Sequence, residues 1–278
     1  MFTLNCRGKL LYTEIPIVMG IINATPDSFY QGDLQKGMDG ILTLAKNMIA
    51  DGASILDIGG QSTKPNSIAI SIQEEIDRVI PIIEMLHEKM PETILSIDTY
   101  QSKVAQAALL AGASIVNDIS AGNMDEAMIE TIGSYKNVPY ICMHTRGTPA
   151  TMQSLTQYDN LVKEILDFFI KKIDECRKAG IVDIIVDPGF GFAKNIEQNF
   201  ELLKNLAVFE MLDKPILAGV SRKSMIYKTL GNTAMDALNG TTVLNTLAVQ
   251  NGAAILRVHD VKEAVEVIKL FQFYKAAI

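Results

Sequence analysis

The 278-residue sequence is poor in cysteine, in proline and in long apolar runs, and each shortage removes a class of protein. Its three cysteines, Cys6, Cys142 and Cys176, are odd in number and widely separated. They build neither a disulfide framework nor a CxxC metal or redox motif, and read as buried or idle thiols of a reducing compartment. No run approaches the ~18 apolar residues of a membrane span. The first residues, MFTLNCRGKLLYTEIP, lack the apolar core of a secretory signal, so a cytoplasmic location away from membranes is expected. Excess positive charge is missing too. A net charge of −7 argues against general nucleic-acid binding, which depends on neutralising phosphates. It leaves room for a small anionic substrate held by a local basic cluster. With 48% hydrophobic residues, 21% charged residues and only 9 prolines, the chain has a large core to bury and no sign of disorder.

What is present is a rhythm. Short β-rich apolar runs recur at Ile17–Ile22, Ile55–Ile58, Ile94–Ile97, Ile115–Val116, Tyr140–Met143, Ile184–Val186, Ile216–Val220 and Ala254–Val258. Helix-period segments lie between them. One carries Met38, Ile41, Leu42, Ala45, Met48 and Ile49 on one face; another is opened by Ser71 with Glu74 three residues on. A long amphipathic helix over Leu161–Ala179 is closed by Gly180. The phrases DGASILDIG, LAGASIVND and VQNGAAILRV place Gly52, Gly112 and Gly252 where a helix must turn sharply into a strand. Continuous apolar strands imply burial on both faces, as in parallel sheets. Eight such units predict a single (β/α)8 barrel (a TIM barrel) over residues 1–278. Residues 2–16 are expected to form a short hairpin near its N-terminal end.

Barrels of this kind place their chemistry where strands meet the following loops. Polar residues sit there on every strand: Asn23, Asp57, Asp98, Asn117–Asp118, Met143–His144, Asp187, Ser221–Arg222–Lys223–Ser224, and Arg257 with His259. Each alone has a structural explanation. Asp57 fits a buried acid satisfied by loop N–H groups, Asp98 an N-cap, Asp118 a loop brace, and the histidines packing. Their recurrence at one topological place favours a site. Asp98, Asn117, Asp187 and Lys223 suit a flat heterocycle with several N–H donors and ring acceptors. Asn23, Arg257 and His259 suit phosphate or a metal–phosphate complex. GVSRKS (219–224) adds small residues and cations ahead of a helix N-terminus.

These residues lie in MGIINATPDSFYQGD (19–33), GASILDIGGQSTKP (52–65), LSIDTYQSKVAQAALLAGASIVNDIS (95–120), MHTRGTP (143–149), IIVDPGFGFAKN (184–195), LAGVSRKSMI (217–226) and LRVHDV (256–261). In these motifs the chain resembles the dihydropteroate synthase family of folate biosynthesis over nearly its whole length. The resemblance implies condensation of 6-hydroxymethyl-7,8-dihydropterin diphosphate with p-aminobenzoate, giving 7,8-dihydropteroate and pyrophosphate with Mg²⁺. It implies Asp98, Asn117, Asp187 and Lys223 around the pterin, with Ile119, Met143 and Gly219 beside it and Arg257 stacked on it. Asn23, Arg257 and His259 would hold the diphosphate, Asn23 also placing Mg²⁺. Thr63, Pro65, Phe192, Lys223 and Ser224 would form the p-aminobenzoate pocket. Loops Thr25–Asp33 and Ser62–Asn66 would close over it. Asp98, Asp187, Lys223, Arg257 and His259 are thereby the catalytic candidates, with no covalent intermediate. Sulfonamide inhibition and a homodimer, with the last helices (Val261–Phe273) as one source of interface, are further implications.

Three positions depart from the family pattern: Lys64 for Arg, Gln61 for Glu and Ala24 for Val. Lysine keeps the charge but loses the planar fork. Two alternatives stay open. A pterin-dependent methyltransferase acting on methyltetrahydrofolate and a corrinoid protein has no use for SRKS and RVHD; a non-catalytic pterin-binding paralogue would be favoured only by Lys64 and Gln61.

Overall fold

A computed structural model describes residues 2–24, 34–63, 67 and 69–277. The chain starts with an antiparallel pair, β1 (Thr3–Cys6) and β2 (Lys9–Tyr12). Their two-residue turn has Arg7 at φ 54° and Gly8 at φ 100°, the positive pair that matches the twist of a tight hairpin.

Eight parallel strands follow and close in the order β10-β3-β4-β5-β6-β7-β8-β9. They are β3 (Ile17–Asn23), β4 (Ile55–Gly59), β5 (Ile94–Asp98), β6 (Ile115–Asp118), β7 (Tyr140–Met143), β8 (Ile184–Asp187), β9 (Ile216–Ala218) and β10 (Ala253–Val258). The helices between and after them are α1 (Leu34–Ala50), α2 (Ile72–Lys89), α3 (Ser102–Ala111), α4 (Ala127–Gly133), α5 (Leu161–Lys178), α6 (Ile196–Lys204), α7 (Ser224–Leu230), α8 (Leu238–Gln250) and α9 (Val261–Ala276). The strands match the apolar runs to within two residues at either end. Gly52, Gly112 and Gly252, with φ of 107°, 121° and 93°, make the helix-to-strand turns that their repeated setting predicts. Ser71 caps α2 by accepting from the Glu74 amide at 3.1 Å, whereas the Glu74 carboxylate turns to Arg78 instead of closing a capping box. The reciprocal box forms at α6, between Asn195 and Gln198.

Strand side chains alternate between two environments. One set, including Leu56, Leu95, Val116 and Leu256, packs outward against the helices. The other points to the barrel axis, and its lowest layer is Met19, Ile55, Ile94, Ile115, Ile141, Ile185, Leu217 and Ile255. Leu4, Cys6 and Leu11 of the hairpin cover this layer from below. The hairpin therefore closes the N-terminal end, as expected, tied there by the Asn5 amide donating to Asp183 at 2.8 Å and the Arg7 amide to the Asn137 carbonyl at 2.7 Å. All three cysteines are buried and free. Wide spacing in sequence does not keep them apart in space, since Cys142 and Cys176 Sγ atoms lie 3.8 Å apart between β7 and α5.

Candidate active site

Because strand residues alternate, the residues two places beyond the apolar bottom layer also face the axis. Reading them off around the barrel gives Ile21, Asp57, Ser96, Asn117, Met143, Asp187, Gly219 and Arg257, with Asn23 and Asp98 a further pair of residues up. The upper half of the barrel interior thus carries charged, amide and hydroxyl groups, interspersed with Ile21, Met143 and Gly219, on the same strands whose lower halves are hydrocarbon.

Arg257 ties this layer together. Its Nε donates to Asp57 Oδ2 and its Nη2 to Asp98 Oδ2, both at 2.6 Å, while Asn117 Nδ2 donates to Asp57 Oδ2 at 3.0 Å. Asp57 is fully buried and the Arg257 side chain is 19% exposed, so these pairs sit where solvent screens them little. Burial opposes the Arg257 charge, but Asp57 and then Asp98 outweigh it and raise its pKa. Burial pushes Asp98 up to about 7, partly offset by Arg257. Among the described residues, Asp57 Oδ1, Asp98 Oδ1 and Ser96 Oγ are buried without a hydrogen-bond partner. Buried acceptors left open are costly unless something donates to them. They form a receptor for N–H or O–H groups.

Asp187 is on the opposite side. Its Oδ1 accepts the Gly189 amide at 2.7 Å, and burial raises its pKa against the pull of Lys223. Lys223 is the N-cap residue of α7; its ammonium donates to the Phe190 carbonyl and lies 4.9 Å from the centre of the Phe192 ring. Burial lowers its pKa to about 8. Gly219 lies beside it, between Lys223 and Arg257. Ile119, Met143 and Phe192 pack into one small cluster with Met152, Ala193, Tyr100 and Met124. It is an apolar wall at the mouth.

At the rim, His259 pairs with Ser221, Oγ to Nδ1 at 3.0 Å. Its pKa is lowered, first by its enclosure and then by the Arg257 charge. Arg222, whose backbone has φ 53°, holds Asp260 through two bonds of 2.8 and 2.9 Å and donates to the Ala234 and Met235 carbonyls. Asn23 ends β3 with an exposed side chain. Ser224 is the partly buried first residue of α7, and Thr63 is partly buried. Lys64, Pro65 and residues 25–33 lie outside the described residues.

The structure therefore brings Asp98, Asn117 and Arg257 into one hydrogen-bonded group, and Asp187, Lys223 and Phe192 into another. It draws Arg257, which the sequence reading shares between a pterin face and a phosphate set, into the inner group through its carboxylate pairs. Asp57 joins that group as well. Its carboxylate meets Arg257 and Asn117 and not the loop N–H groups that a structural role predicts. Asp98 is no N-cap: Gln101 occupies that place, and Asp125 receives the Ser102 amide at 2.7 Å. Asp118 does brace its loop, accepting from the Ser120 and Gly122 amides and the Tyr140 hydroxyl. His144 packs edge-on to Phe168, 4.9 Å between ring centres. Lys194, which the sequence does not single out, is 3% exposed and carries its ammonium to His144 Nδ1 (3.1 Å) and the Gly189 and Phe192 carbonyls (3.0 Å each). Gln61 reaches the Tyr100 hydroxyl at 2.7 Å.

Comparison with known proteins agrees with this geometry. The family model described as pterin binding enzyme matches residues 19–259. The chain belongs to the pterin-binding enzyme family. It is 40% identical to the dihydropteroate synthase of Escherichia coli over 271 residues, covering 96% of this chain and 94% of that protein. Among solved structures it resembles the Yersinia pestis dihydropteroate synthase in a sulfonamide drug complex, with a TM-score of 0.92, 38% identity and coverage of 99% and 100%. The Xanthomonas albilineans enzyme with 4-aminobenzoic acid matches with a TM-score of 0.92, 35% identity and 99% coverage of both chains.

Proposed function

We propose that this chain, as one barrel domain over residues 1–278, is a transferase carrying out the dihydropteroate synthase reaction. The supporting observation is the inner ring of Asp57, Asp98, Asn117, Asp187 and Lys223, with buried acceptors left open toward the barrel axis. A pterin ring offers amine and lactam N–H donors to the carboxylates and a carbonyl and ring nitrogens to Asn117 and Lys223. Ile119, Met143, Phe192 and Gly219 give its flat faces an apolar, unobstructed wall. A donor-rich heterocycle competes with the Arg257 guanidinium for Asp57 and Asp98. Arg257 released from them is a cation for the ring face and for the diphosphate beside it.

The reaction breaks the C–O bond between the pterin methylene and diphosphate, the electron pair leaving with the diphosphate. It forms a C–N bond from the amine of p-aminobenzoate, whose nitrogen then loses a proton. Arg257 and His259 stabilise the departing charge, while Asp98 and Asp187 favour the positive charge left on the pterin. Lys223, Ser224, Phe192, Thr63 and Pro65 enclose the amine substrate, Ser224 meeting its carboxylate. No nucleophilic side chain is required.

The residues fit magnesium as a partner. Among the described residues no three His, Cys, Asp or Glu side chains cluster as a metal cage. A hard ion that keeps waters and phosphate oxygens needs only a ligand such as the Asn23 amide oxygen. Magnesium, when bound, neutralises charge on the diphosphate. The buried free thiols suit a cytoplasmic setting; among the described residues no helix is long and apolar enough to cross a membrane. A homodimer is supported by the apolar residues of α9, where Leu270, Phe273 and Tyr274 are 71%, 81% and 75% exposed. Light scattering should give twice the chain mass, and Phe273→Glu should shift it to the monomer.

The test of function is direct. Incubation with the pterin diphosphate, p-aminobenzoate and magnesium should release pyrophosphate only when the amine is present. Asp187→Asn should lower kcat/KM about 10²- to 10³-fold, the scale of a lost charge-assisted bond in a buried site. Full turnover in that variant would refute pterin binding through Asp187. Transfer of a methyl group from methyltetrahydrofolate would replace the whole reading.

A further inference from the structure

We propose that Ser221 is a positioning residue that fixes the tautomer of His259, so that Nδ1 accepts a hydrogen bond and Nε2 presents its proton to the diphosphate. The proposal rests on the reading of His259 as a diphosphate ligand, and it adds what makes the ring a donor there.

The protons available between Ser221 and His259 fix the tautomer. Ser221 is 5% exposed, and its hydroxyl has one hydrogen and two lone pairs. One lone pair receives the His259 backbone N–H at 3.2 Å. The same oxygen lies 3.0 Å from His259 Nδ1. Among the described residues the Ser221 hydrogen has no other acceptor within reach, so it goes to Nδ1. The reverse arrangement would load two donors on the serine oxygen and leave a buried hydroxyl hydrogen unpaired, which costs free energy. With Nδ1 accepting, the neutral ring carries its hydrogen on Nε2.

The neighbours explain why a serine can set this. The nearest carboxylate in sequence is Asp260, and a carboxylate beside Nδ1 would draw the proton to that nitrogen and favour imidazolium. Asp260 is instead held by Arg222 through both oxygens. Arg222 is anchored in turn on two carbonyls and, through its amide, on Thr241 Oγ1 at 3.0 Å. Three cations, Arg257, Arg222 and Lys223, surround the ring and oppose a fourth charge, while Asp260 favours one. The imidazole is lowered well below its ordinary pKa, first by enclosure and then by Arg257, and so is neutral at pH 7. A neutral Nε2–H then serves as a directional donor beside the Arg257 charge.

The test uses the full chain with ¹⁵N-labelled histidine, the His259 signals being those lost in His259→Gln. In the free protein Nδ1 should resonate as a pyridine-type and Nε2 as a pyrrole-type nitrogen. Ser221→Ala should give mixed tautomers and bind magnesium pyrophosphate about fivefold to tenfold more weakly, the scale of one neutral hydrogen bond; Ser221→Thr, which restores the hydroxyl, should recover both. In a His259→Gln background, Ser221→Ala should cause no further weakening. A pyrrole-type Nδ1 in the free protein, an unchanged tautomer in Ser221→Ala, or additive losses in the double variant would each overturn the proposal. Unaltered pyrophosphate binding by His259→Gln would overturn the diphosphate reading itself, and the nitrogen shifts would report that separately from the tautomer.

Discussion

The two ends of the barrel are built on the same strands and obey opposite rules. At the bottom, Ile55, Ile94, Ile115, Ile141, Ile185, Leu217 and Ile255 meet Leu4, Cys6 and Leu11 in a sealed apolar plug. Two residues further along those strands stand Asp57, Ser96, Asn117, Met143, Asp187, Gly219 and Arg257. Below, packed hydrocarbon stabilises the fold without specific pairing. Above, two carboxylates share one guanidinium and keep oxygens open, an arrangement that burial makes unfavourable by itself. Stability and chemistry are therefore separated by two strand residues, about 7 Å along each strand.

The largest expected effect comes from removing the cation of the upper ring. Arg257→Met leaves Asp57 and Asp98 facing each other in a buried site. Turnover should fall about 10³-fold or more, on the scale of breaking one partner from a buried pair. The stability effect should depend on pH. Asp98 already has its folded pKa raised to about 7 against an ordinary 3.8. A raised carboxyl binds more protons folded than unfolded, so stability declines as pH rises between those values. Without Arg257 the folded value climbs further and the decline extends above pH 7. Urea unfolding at pH 5.5 and pH 8.5 should show a larger deficit at the higher pH; equal deficits would mean that the carboxylates are not electrostatically held by Arg257.

At the lower end the expectation inverts. Ile115 is fully buried, and Ile115→Ala should cost about 2–5 kcal/mol of stability through lost burial and a residual cavity. Both KM values should stay within about twofold while the protein remains folded, since no polar group moves. If kcat/KM falls with stability at temperatures well below the transition, the two ends are coupled and the division along the axis is wrong.

This division also governs what the sequence could disclose. The strands were legible because apolar runs and the Gly52, Gly112 and Gly252 turns are local features. The polar strand ends were legible as a set for the same reason. Parity was not. Asp57 and Asp118 both end apolar runs in similar company, yet Asp57 lies two beyond Ile55 and faces the axis, while Asp118 lies one beyond Asn117 and faces away. A strand buried on both faces is apolar at every position and conceals which alternate set points inward. Cys142 and Cys176 were unreadable as neighbours because their contact spans β7 to α5. Lys194 escaped because its acceptors are two backbone carbonyls and a histidine 50 residues away. A lysine in sequence looks solvated until its surroundings are known.

Lys194 yields the smallest expected effect and the finest probe of where the upper region ends. Its ammonium joins the Gly189 and Phe192 carbonyls to His144, and so braces the loop that gives Lys223 its Phe190 carbonyl and the mouth its Phe192 ring. Lys194→Met keeps the length and removes the three donors. The expected result is an approximately tenfold rise in KM for p-aminobenzoate and a smaller rise for the pterin substrate, since Asp57, Asp98 and Asn117 are on other strands and Asp187 meets the braced loop through the Gly189 amide. Burial lowers the Lys194 pKa to about 7 from an ordinary 10.5. The unfolded chain thus binds more protons than the folded one between those values, and stability relative to Lys194→Met should rise with pH from about 7 to about 10. Equal rises in both KM values would make the loop a brace for the whole mouth and not for the amine side alone. A pH-independent stability difference would show that burial does not depress the Lys194 pKa and that the ammonium stays charged in the folded protein.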